Sequence, residues 1–319
     1  MIKILITDPI EKSCIQILEE NGFAVDHKPG LKHDDITQII DRYEILIVRS
    51  GTKVTSSIIE KAKSLKLIGR AGAGVDNIDV DAASRRGILV MNTPGGNTIS
   101  TAEHTMALLL SMCRNIAHAN SELKSGIWDR KKYMGTELHG KTIGIIGFGK
   151  IGKEVAIRCK SFGMNVIAND PYLSKEVGEK LGVSLVNLNQ LLSESDIISL
   201  HVPLNAETKY LIDREELSLC KKGVKIIQCA RGGIISEIAL LDALNSGQVS
   251  QAALDVYETE PPLFPNELIS HPNVTVTPHI GAATKEAQEK VSIQIAEQIV
   301  EYYKTKKLIG IVNLNSLKK

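Results

Sequence analysis

Short apolar runs rich in β-branched residues alternate with helical segments along this chain, and that alternation restricts the fold more than any other feature. In the first part of the chain the apolar runs lie at 3–7, 45–49, 66–70 and 88–92, and helical segments lie between them at 11–21 and 55–63. Strands that alternate with helices are typical of a parallel sheet with helices on both faces. The first part therefore predicts a doubly wound α/β domain.

The same pattern starts again after a long helical stretch at about 98–120. A second series of strands is predicted at 142–147, 165–169, 196–200, 225–229, 251–255 and 274–278, with helices at 151–161 and 236–245 and a final long helix at 283–304. This series is long enough for a sheet of its own. The chain of 319 residues, 43% of them hydrophobic, can supply two cores.

The two long helices on either side of the second series predict crossovers between domains. We expect the chain to leave the first domain near residue 98, complete the second, and return near 285 with a last strand near 309–312. The predicted organisation is a discontinuous domain of residues 1–97 and 285–319, with a second domain of residues 98–284 inserted into it. A ligand would then lie in the cleft between the domains.

Charge and cysteine content exclude several classes of function. The 38 Lys and Arg residues nearly balance 37 Asp and Glu residues, so no net field favours nucleic acid or an anionic membrane. Five cysteines without C-x-x-C spacing favour neither a disulfide framework nor a zinc site, and the histidines show no metal-ligand spacing. With no signal peptide or apolar span in the sequence, we expect a cytoplasmic protein without a bound metal.

A glycine-rich motif at the start of the second series predicts a dinucleotide site. Gly147, Gly149 and Gly152 have G-x-G-x-x-G spacing between a strand and a helix, and Asp170 ends the next strand. The glycines allow a tight turn, close approach of a pyrophosphate and close helix packing, while the N–H groups of Lys150 and the following Ile151 face the phosphates. A carboxylate at Asp170 would bind the ribose hydroxyls and repel a 2′-phosphate. The motif therefore predicts a Rossmann domain that binds NAD.

A second glycine-rich segment, Gly69–Gly74, also follows a strand but has different spacing and no matching acid. We interpret it as a loop whose backbone a ligand can approach closely. It is expected on the substrate side.

Three later residues, Arg231, Glu260 and His279, each follow a predicted strand, where a doubly wound sheet places its ligands. Oxidation of an alcohol by hydride transfer needs a group that takes the hydroxyl proton, and histidine beside a carboxylate suits that task. Arginine offers a planar fork for a substrate carboxylate. Each residue alone has an ordinary structural explanation, but the three together predict an active site.

The motifs also resemble a known family. The segments RSGTKVT (49–55), GRAGAGVDNID (69–79), NTPGGNTISTAEH (92–104), GKTIGIIGFGKIGKEVA (140–156), CARGGI (229–234), ALDVYETEPP (253–262) and TPHIGAAT (277–284) resemble those of NAD-dependent D-2-hydroxyacid dehydrogenases. The resemblance spans essentially the whole chain and is strongest to the branch that oxidises 3-phospho-D-glycerate, the first step of phosphorylated serine biosynthesis.

The resemblance implies a role for each matching residue. His279 would be the acid/base, Glu260 its partner, and Arg231 the anchor of the substrate carboxylate. It implies a flavodoxin-like substrate domain that receives the inserted Rossmann domain. Further contacts to the cofactor would come from Ala73, Val202, Cys229, Ala230, Asp255 and Gly281.

A phosphate on the substrate would need its own cationic site. Arg49 and Arg70 end two strands of the first domain, and in the resembling branch the matching arginines bind the 3-phosphate. Ser50, Ala71, Gly72 and Asn77 lie in the adjoining loops, and Arg130 belongs to a basic run that resembles one reaching in from a neighbouring subunit. The expected substrate is a phosphorylated 2-hydroxy acid, and the expected assembly is a homodimer or a homotetramer.

Two alternatives stay open at this point. One is a hydroxypyruvate or glyoxylate reductase that uses the same three catalytic residues. The other is an NADH-sensing protein that binds partners, like the dehydrogenase-fold corepressors, and turns over little. Because the sequence given ends at Lys319, a short form without the C-terminal regulatory domain of larger family members is expected.

Overall fold

The computed structural model describes residues 1–317 and divides the chain into two compact units. The first unit contains Met1–Asn97 and the segment from Ala283 onward, and the second contains Thr98–Ala282. Each unit is built on its own parallel sheet. None of the helices in this part of the chain has the length and apolar character that a membrane crossing requires.

The first unit has a five-stranded sheet in the order β2-β1-β3-β4-β5, with every pair parallel. This is the flavodoxin-like order, in which the chain reverses direction across the sheet between β1 and β3. Its strands are β1 (Lys3–Ile6), β2 (Ala24–His27), β3 (Ile45–Val48), β4 (Leu67–Arg70) and β5 (Leu89–Asn92). Its helices are α1 (Lys12–Glu20), α2 (His33–Ile39), α3 (Ser56–Lys61), α4 (Val80–Arg85), α13 (Lys285–Thr305) and α14 (Leu314–Leu317), with a 3₁₀ helix at Ile40–Arg42.

Helices cover both faces of this sheet. All four residues of β3 are fully buried, as expected for a central strand of a parallel sheet. One face packs on α2, α3 and α4, and the other packs on α1 and α13. At Gly69 of β4 an added Cβ would lie 3.1 Å from Ile295 of α13, so glycine lets this helix pack closely.

The second unit has a seven-stranded parallel sheet in the order β12-β11-β10-β9-β6-β7-β8. Numbered from β6, this order contains the 3-2-1-4-5-6 arrangement of a Rossmann sheet with one strand added at the edge. Its strands are β6 (Thr142–Ile146), β7 (Asn165–Asn169), β8 (Ser184–Leu185), β9 (Ile197–Leu200), β10 (Val224–Gln228), β11 (Val249–Leu254) and β12 (Val274–Val276). Its helices are α5 (Thr98–Cys113), α6 (Ile116–Lys124), α7 (Lys150–Ser161), α8 (Lys175–Glu179), α9 (Leu188–Glu194), α10 (Arg214–Leu219), α11 (Glu237–Asn245) and α12 (Glu267–Ser270).

Two apolar clusters form the core of this unit. One lies between the sheet and α5 and α7, and the other between the sheet and α9, α10 and α11. The predicted fold class, two doubly wound parallel sheets, is confirmed. All five cysteines are buried with free thiols.

Local elements differ from the sequence prediction in four places. The helix predicted at 98–120 is broken, because Asn115 is left-handed with φ 53° and its Oδ1 accepts a hydrogen bond from Gln251 Nε2. The strand predicted near 309–312 is only an isolated antiparallel bridge between Met91 and Ile311. The short edge strands β2 and β8 were not predicted, since β2 is polar or half-buried along its length and β8 has only two residues.

The segment after α13 is held to β5 by two backbone hydrogen bonds, Asn92 N–H to Gly310 and Val312 N–H to Val90, and by one buried amide. Asn313 Oδ1 accepts the Val90 N–H at 3.0 Å, and its Nδ2 donates to Ser84 Oγ and to the Ile88 carbonyl. This side chain therefore reinforces the short bridge that stands where a strand was predicted.

Candidate active site

The glycine-rich turn lies at the point where the order of the seven-stranded sheet reverses, between β6 and β9. Gly147 follows β6 with φ 91°, a conformation that favours glycine, and an added Cβ would lie 2.7 Å from the His201 carbonyl group. A Cβ on Gly152 would lie 2.2 Å from the Gly147 carbonyl oxygen, so this glycine lets α7 pack against the turn. Doubly wound sheets bind their ligands at such a reversal, beyond the carboxyl ends of the strands.

Gly149 differs from the other two glycines of the motif. It precedes the first residue of α7, and an added Cβ would meet no atom within 4 Å. The open space lies beside the N-terminus of a 12-residue helix, where the helix dipole favours an anion. The turn therefore fits a pyrophosphate, with the Lys150 and Ile151 N–H groups in the first helical turn.

Asp170 follows β7, the neighbour of β6, as the sequence predicts for a ribose-binding acid. Its Oδ2 accepts the N–H of Phe148, within the glycine-rich turn, at 3.0 Å, and its Oδ1 accepts the N–H of Tyr172 at 3.0 Å. The carboxylate is thereby fixed beside the turn. A negative charge at this position suits ribose hydroxyl donors and opposes a 2′-phosphate.

The loop after β9 faces the same turn. Val202 Cγ1 would lie 2.8 Å from a Cβ on Gly147, which places Val202 beside the predicted cofactor. Burial lowers the pKa of His201 to about 4, and its Nε2 is 2.8 Å from Ser199 Oγ. His201 is therefore neutral at pH 7 and has a structural partner.

The loop after β10 carries Arg231. Gln228, the buried last residue of β10, accepts the Ala230 N–H with Oε1 at 3.1 Å and donates from Nε2 to the Arg231 carbonyl at 2.9 Å. Arg231 Nη1 donates to the Ala230 carbonyl at 2.6 Å. Sequence reasoning missed Gln228, although a lone amide in the apolar run KIIQC was a signal. Burial raises the pKa of Cys229 to about 12, so its thiol is unreactive and only its backbone can serve a ligand.

Backbone packing brings the Arg231 loop against the loop that carries Glu260. A Cβ on Gly232 would lie 1.8 Å from the Tyr257 carbonyl oxygen, so only glycine permits this approach. The positive charge of Arg231 is one of the influences that lower the pKa of Glu260. The structure thus brings together two of the three predicted catalytic residues.

His279 completes the set. Its Nδ1 is 2.6 Å from Glu260 Oε2, and Glu260 Oε1 accepts the Tyr257 N–H at 3.1 Å. Burial alone would raise the pKa of Glu260, but the hydrogen bond and charge of His279, the Tyr257 N–H and Arg231 together hold it below its usual value. Glu260 is therefore ionised at neutral pH. Since a carboxylate can only accept, His279 Nδ1 carries the proton and Nε2 is left to exchange a proton with a substrate.

Asp255 and Gly281, predicted as cofactor contacts, adjoin the turn that carries His279. The Asp255 carboxylate accepts the Gly281 N–H at 2.8 Å and the Ile280 N–H at 2.9 Å. Burial would raise the pKa of Asp255, but its hydrogen bonds to His104, Thr277 and these two N–H groups lower it, so it stays charged in a buried position. Asp255 thus supports the turn that carries His279.

In the first unit, Arg49 and Arg70 lie at the carboxyl ends of the adjacent strands β3 and β4. Val48, the residue before Arg49, is directly opposite Arg70 in the parallel register. Burial lowers the pKa of Arg49, while the negative charges of Asp8 and Glu11 raise it. Arg49 follows β3 and Asp8 lies just beyond β1. These two residues therefore lie between β1 and β3, where the strand order of the five-stranded sheet reverses.

The loops around these arginines are organised by Asp8 and Asn77. Asp8 Oδ2 accepts the N–H groups of Arg49 at 2.5 Å and of Thr52 at 3.2 Å, a role that sequence reasoning missed. Asn77, predicted to contact the substrate, donates to the carbonyls of Arg49 at 2.7 Å and Thr52 at 2.6 Å. The Asn77 side chain therefore supports the loop that carries Arg49 by bonding to the backbone of that loop.

The remaining predicted residues occupy varied positions. Arg70 folds back over Gly72, where an added Cβ would lie 1.7 Å from Arg70 Nη1 and where φ is 155°. Ala71 is buried, the Ala73 carbonyl accepts Asn92 Nδ2 at 2.6 Å, and Ser50 and Arg130 are exposed. Within residues 1–317 no three His, Cys, Asp or Glu side chains are placed to hold a metal ion.

Comparison with known proteins gives a consistent result. The family model described as "D-isomer specific 2-hydroxyacid dehydrogenase, NAD binding domain" matches residues 106–281. D-3-phosphoglycerate dehydrogenase from Archaeoglobus fulgidus is 50% identical over 99% of this chain and 60% of its own length. The chain thus spans about 60% of the length of the curated relatives it matches.

Solved structures resemble the whole chain. A glyoxylate reductase from Paecilomyes thermophila is 32% identical with a TM-score of 0.88, covering 98% of both chains. An NAD-dependent formate dehydrogenase from Staphylococcus aureus in complex with NAD is 30% identical with a TM-score of 0.85, covering 97% of both chains. The turn described above lies within the segment that matches an NAD-binding domain.

Two alanine substitutions in the glycine-rich turn should affect different properties. One should lower stability, and the other should weaken cofactor binding. Gly152→Ala should lower the free energy of unfolding by about 1–3 kcal/mol, because its Cβ would overlap the Gly147 carbonyl oxygen. Gly149→Ala should change stability by less than about 0.5 kcal/mol yet weaken NADH binding about tenfold or more, because its methyl group would occupy the open space. Urea unfolding without cofactor and NADH fluorescence titration measure the two effects. Wild-type NADH affinity in Gly149→Ala would show that the pyrophosphate does not lie on this turn.

Proposed function

Because the chain belongs to the D-isomer specific 2-hydroxyacid dehydrogenase family, we propose that it oxidises 3-phospho-D-glycerate to 3-phosphooxypyruvate with NAD. This is the first step of phosphorylated L-serine biosynthesis. The observation that carries the proposal is the hydrogen bond between His279 and an ionised Glu260, in the unit that also holds the glycine-rich turn and Arg231. We assign residues 98–284 to NAD binding, and residues 1–97 and 285–319 to substrate binding.

The catalytic residues have complementary tasks. His279 Nε2 takes the proton of the 2-hydroxyl group, and Glu260 holds Nδ1–H and stabilises the imidazolium that forms. Arg231 binds the substrate carboxylate, and Gln228 fixes the backbone on both sides of the loop that presents it. NAD, when bound, supplies the acceptor for the hydride that leaves C2. Asp170 and the N-terminus of α7 would hold its adenosine ribose and pyrophosphate.

Arg49 and Arg70 are proposed to bind the 3-phosphate. Their strand-end positions on β3 and β4 suit the bidentate recognition of a dianion, and Asp8 and Asn77 keep the Arg49 loop rigid. The names of the similar curated relatives support the phosphorylated substrate. A hydroxypyruvate or glyoxylate reductase is the second candidate, favoured by the similarity to a glyoxylate reductase.

A substrate panel with the wild-type chain and His279→Ala tests the reaction. The wild type should oxidise NADH with 3-phosphooxypyruvate at a kcat/KM well above that for hydroxypyruvate or glyoxylate. His279→Ala should reduce kcat at least about 100-fold, because the variant lacks the imidazole that exchanges the proton, while NADH affinity changes little. Stopped-flow absorbance at 340 nm and NADH titration measure both. Near-normal turnover in the variant at pH 7 would remove His279 as the acid/base.

The phosphate assignment needs a separate test. Arg49→Ala should raise KM about 10- to 100-fold for 3-phosphooxypyruvate and far less for hydroxypyruvate, because only the phosphorylated substrate loses a charge-assisted hydrogen bond. Arg42→Ala, an exposed arginine in the 3₁₀ helix of the same unit, is the matched control and should change neither KM. An equal increase for both substrates would contradict the assignment.

We also infer that two copies of the chain form a homodimer, and that two such dimers can form a homotetramer. The helix α6 buries none of its residues, and it and the segment after it expose the large apolar side chains Ile116, Leu123, Ile127, Trp128 and Met134. Several large apolar side chains exposed within one segment suit a protein interface. Arg130 lies in the same segment and would face the partner subunit.

Sedimentation velocity of the wild type should give a dimer. The double variant Leu123→Glu with Trp128→Glu should sediment as a monomer, and an unchanged dimer would place the interface elsewhere.

The buried free thiols of the five cysteines suit a reducing compartment, so we infer a cytoplasmic location.

A further inference from the structure

The turn that carries His279 has an unfavourable backbone conformation. His279 has φ 54°, in the left-handed region that residues other than glycine rarely adopt. Such a residue costs free energy, and it persists only where its surroundings determine it. Its ring is held by Glu260, but the ring contact alone does not fix the backbone. Other contacts must therefore hold the turn from both sides.

The Asp255 carboxylate supplies these contacts. On the side before His279, Thr277 Oγ1 donates to Asp255 Oδ1 at 2.6 Å. On the other side, the Ile280 and Gly281 N–H groups donate to the two carboxylate oxygens at 2.9 and 2.8 Å. The carboxylate thus bridges the two sides of the His279 turn, alongside the Tyr257 hydroxyl, which donates to the Thr277 carbonyl, and the Ser100 hydroxyl, which donates to the Gly281 carbonyl.

A histidine on α5 completes the contacts of the carboxylate. His104 Nε2 lies 3.2 Å from Asp255 Oδ1 and 3.1 Å from Thr277 Oγ1. Because the Thr277 hydroxyl hydrogen goes to Asp255, Thr277 Oγ1 can only accept from His104. His104 Nε2 must therefore carry a proton, which it shares between the carboxylate and the hydroxyl.

Burial makes this contact costly to lose. Asp255 is 1% exposed, and the side chain of His104 is 16% exposed. A buried carboxylate needs donors around it, and removing one leaves part of its charge uncompensated. Water has little access to replace a missing donor.

We propose that His104 is a positioning residue, which fixes Asp255 and Thr277 and through them aims His279 at the substrate. It touches none of the reacting atoms and acts from a different element, α5, on the turn between β12 and α13. The inference rests on the proposed role of His279 as the acid/base. Glu260 fixes the imidazole ring, whereas His104 fixes the backbone on which the ring is mounted.

Two substitutions of matched size separate the hydrogen bond from packing. His104→Leu removes the donor and keeps most of the volume, and His104→Gln can place an amide N–H near the former Nε2. The Leu variant should lose about 10- to 100-fold in kcat, while KM and the NADH dissociation constant change less than about threefold. The Gln variant should recover most of the lost kcat. A loss shared by both variants, or no loss in the Leu variant, would overturn the proposal.

Thr277→Val gives a second route that does not need the Leu variant, because wild-type kcat in Thr277→Val would by itself contradict the proposal. It removes the hydroxyl that links His104 to the turn, and it should lower kcat in the same range. In the double variant with His104→Leu the losses should be smaller than the product of the single losses, because both residues act through one network. Multiplicative losses would contradict the shared network.

NMR of histidine-labelled protein distinguishes a failure of this inference from a failure of the proposed function. The Nδ1–H proton of His279, bonded to Glu260, should shift or broaden in His104→Leu and return in His104→Gln. This signal needs no substrate. If no acid of the panel turned over but the signal responded in this way, the proposed reaction would fail and the positioning role would stand. An unchanged signal in His104→Leu would overturn the positioning role whatever the substrate.

Discussion

The hydrogen bond between Glu260 and His279 depends on three parallel strands that end at the same edge of one sheet. Arg231, Glu260 and His279 follow β10, β11 and β12, which are neighbours in that order. Parallel strands deliver their loops to a common edge, and the close approach of Gly232 to the Tyr257 carbonyl draws two of those loops together. Residues far apart in sequence thus reach hydrogen-bond distance without a long or specialised loop.

Aspartates just beyond strands organise the functional loops of both units. Asp8 accepts backbone N–H groups of the Arg49 loop, Asp170 accepts that of Phe148 in the glycine-rich turn, and Asp255 accepts those that follow His279. Each carboxylate lies where its strand emerges from the sheet. Hydrogen bonds from N–H groups to a charged acceptor are stronger than neutral ones, so a short side chain can hold a loop of irregular backbone. The same device supports the Arg49 loop, the glycine-rich turn and the His279 turn, whereas the Gln228 amide holds the Arg231 loop.

Much of this arrangement could be predicted from the sequence, for identifiable reasons. The buried strands are continuous apolar runs, and the spacing of Gly147, Gly149 and Gly152 after such a run has few alternative explanations. Residues that follow predicted strands could be grouped at one edge because parallel strands share that edge. Arg231, Glu260 and His279 were found in this way.

The supporting residues could not be predicted, because their roles depend on contacts between distant loops. The lone amide of Gln228 in an apolar run is a signal that does not identify its partners, and Asp8 carries no signal, since each bonds to backbone groups that any residue could provide. The left-handed break at Asn115 depends on Gln251, a distant partner in sequence. The role of Asp255 as a support for the His279 turn likewise became visible only once the loops were placed.

The construction of the first unit from both ends of the chain affects how the protein can fold during synthesis. The sheet face formed by Ile4, Ile45 and Leu67 is covered by Ile295 and Ile299 of α13, which the ribosome makes only after the entire second unit. That apolar face therefore stays partly exposed to solvent while the inserted unit is synthesised and can form its own core. A nascent chain of this design is most prone to aggregate late in translation. A holdase chaperone would therefore be of most use during that interval.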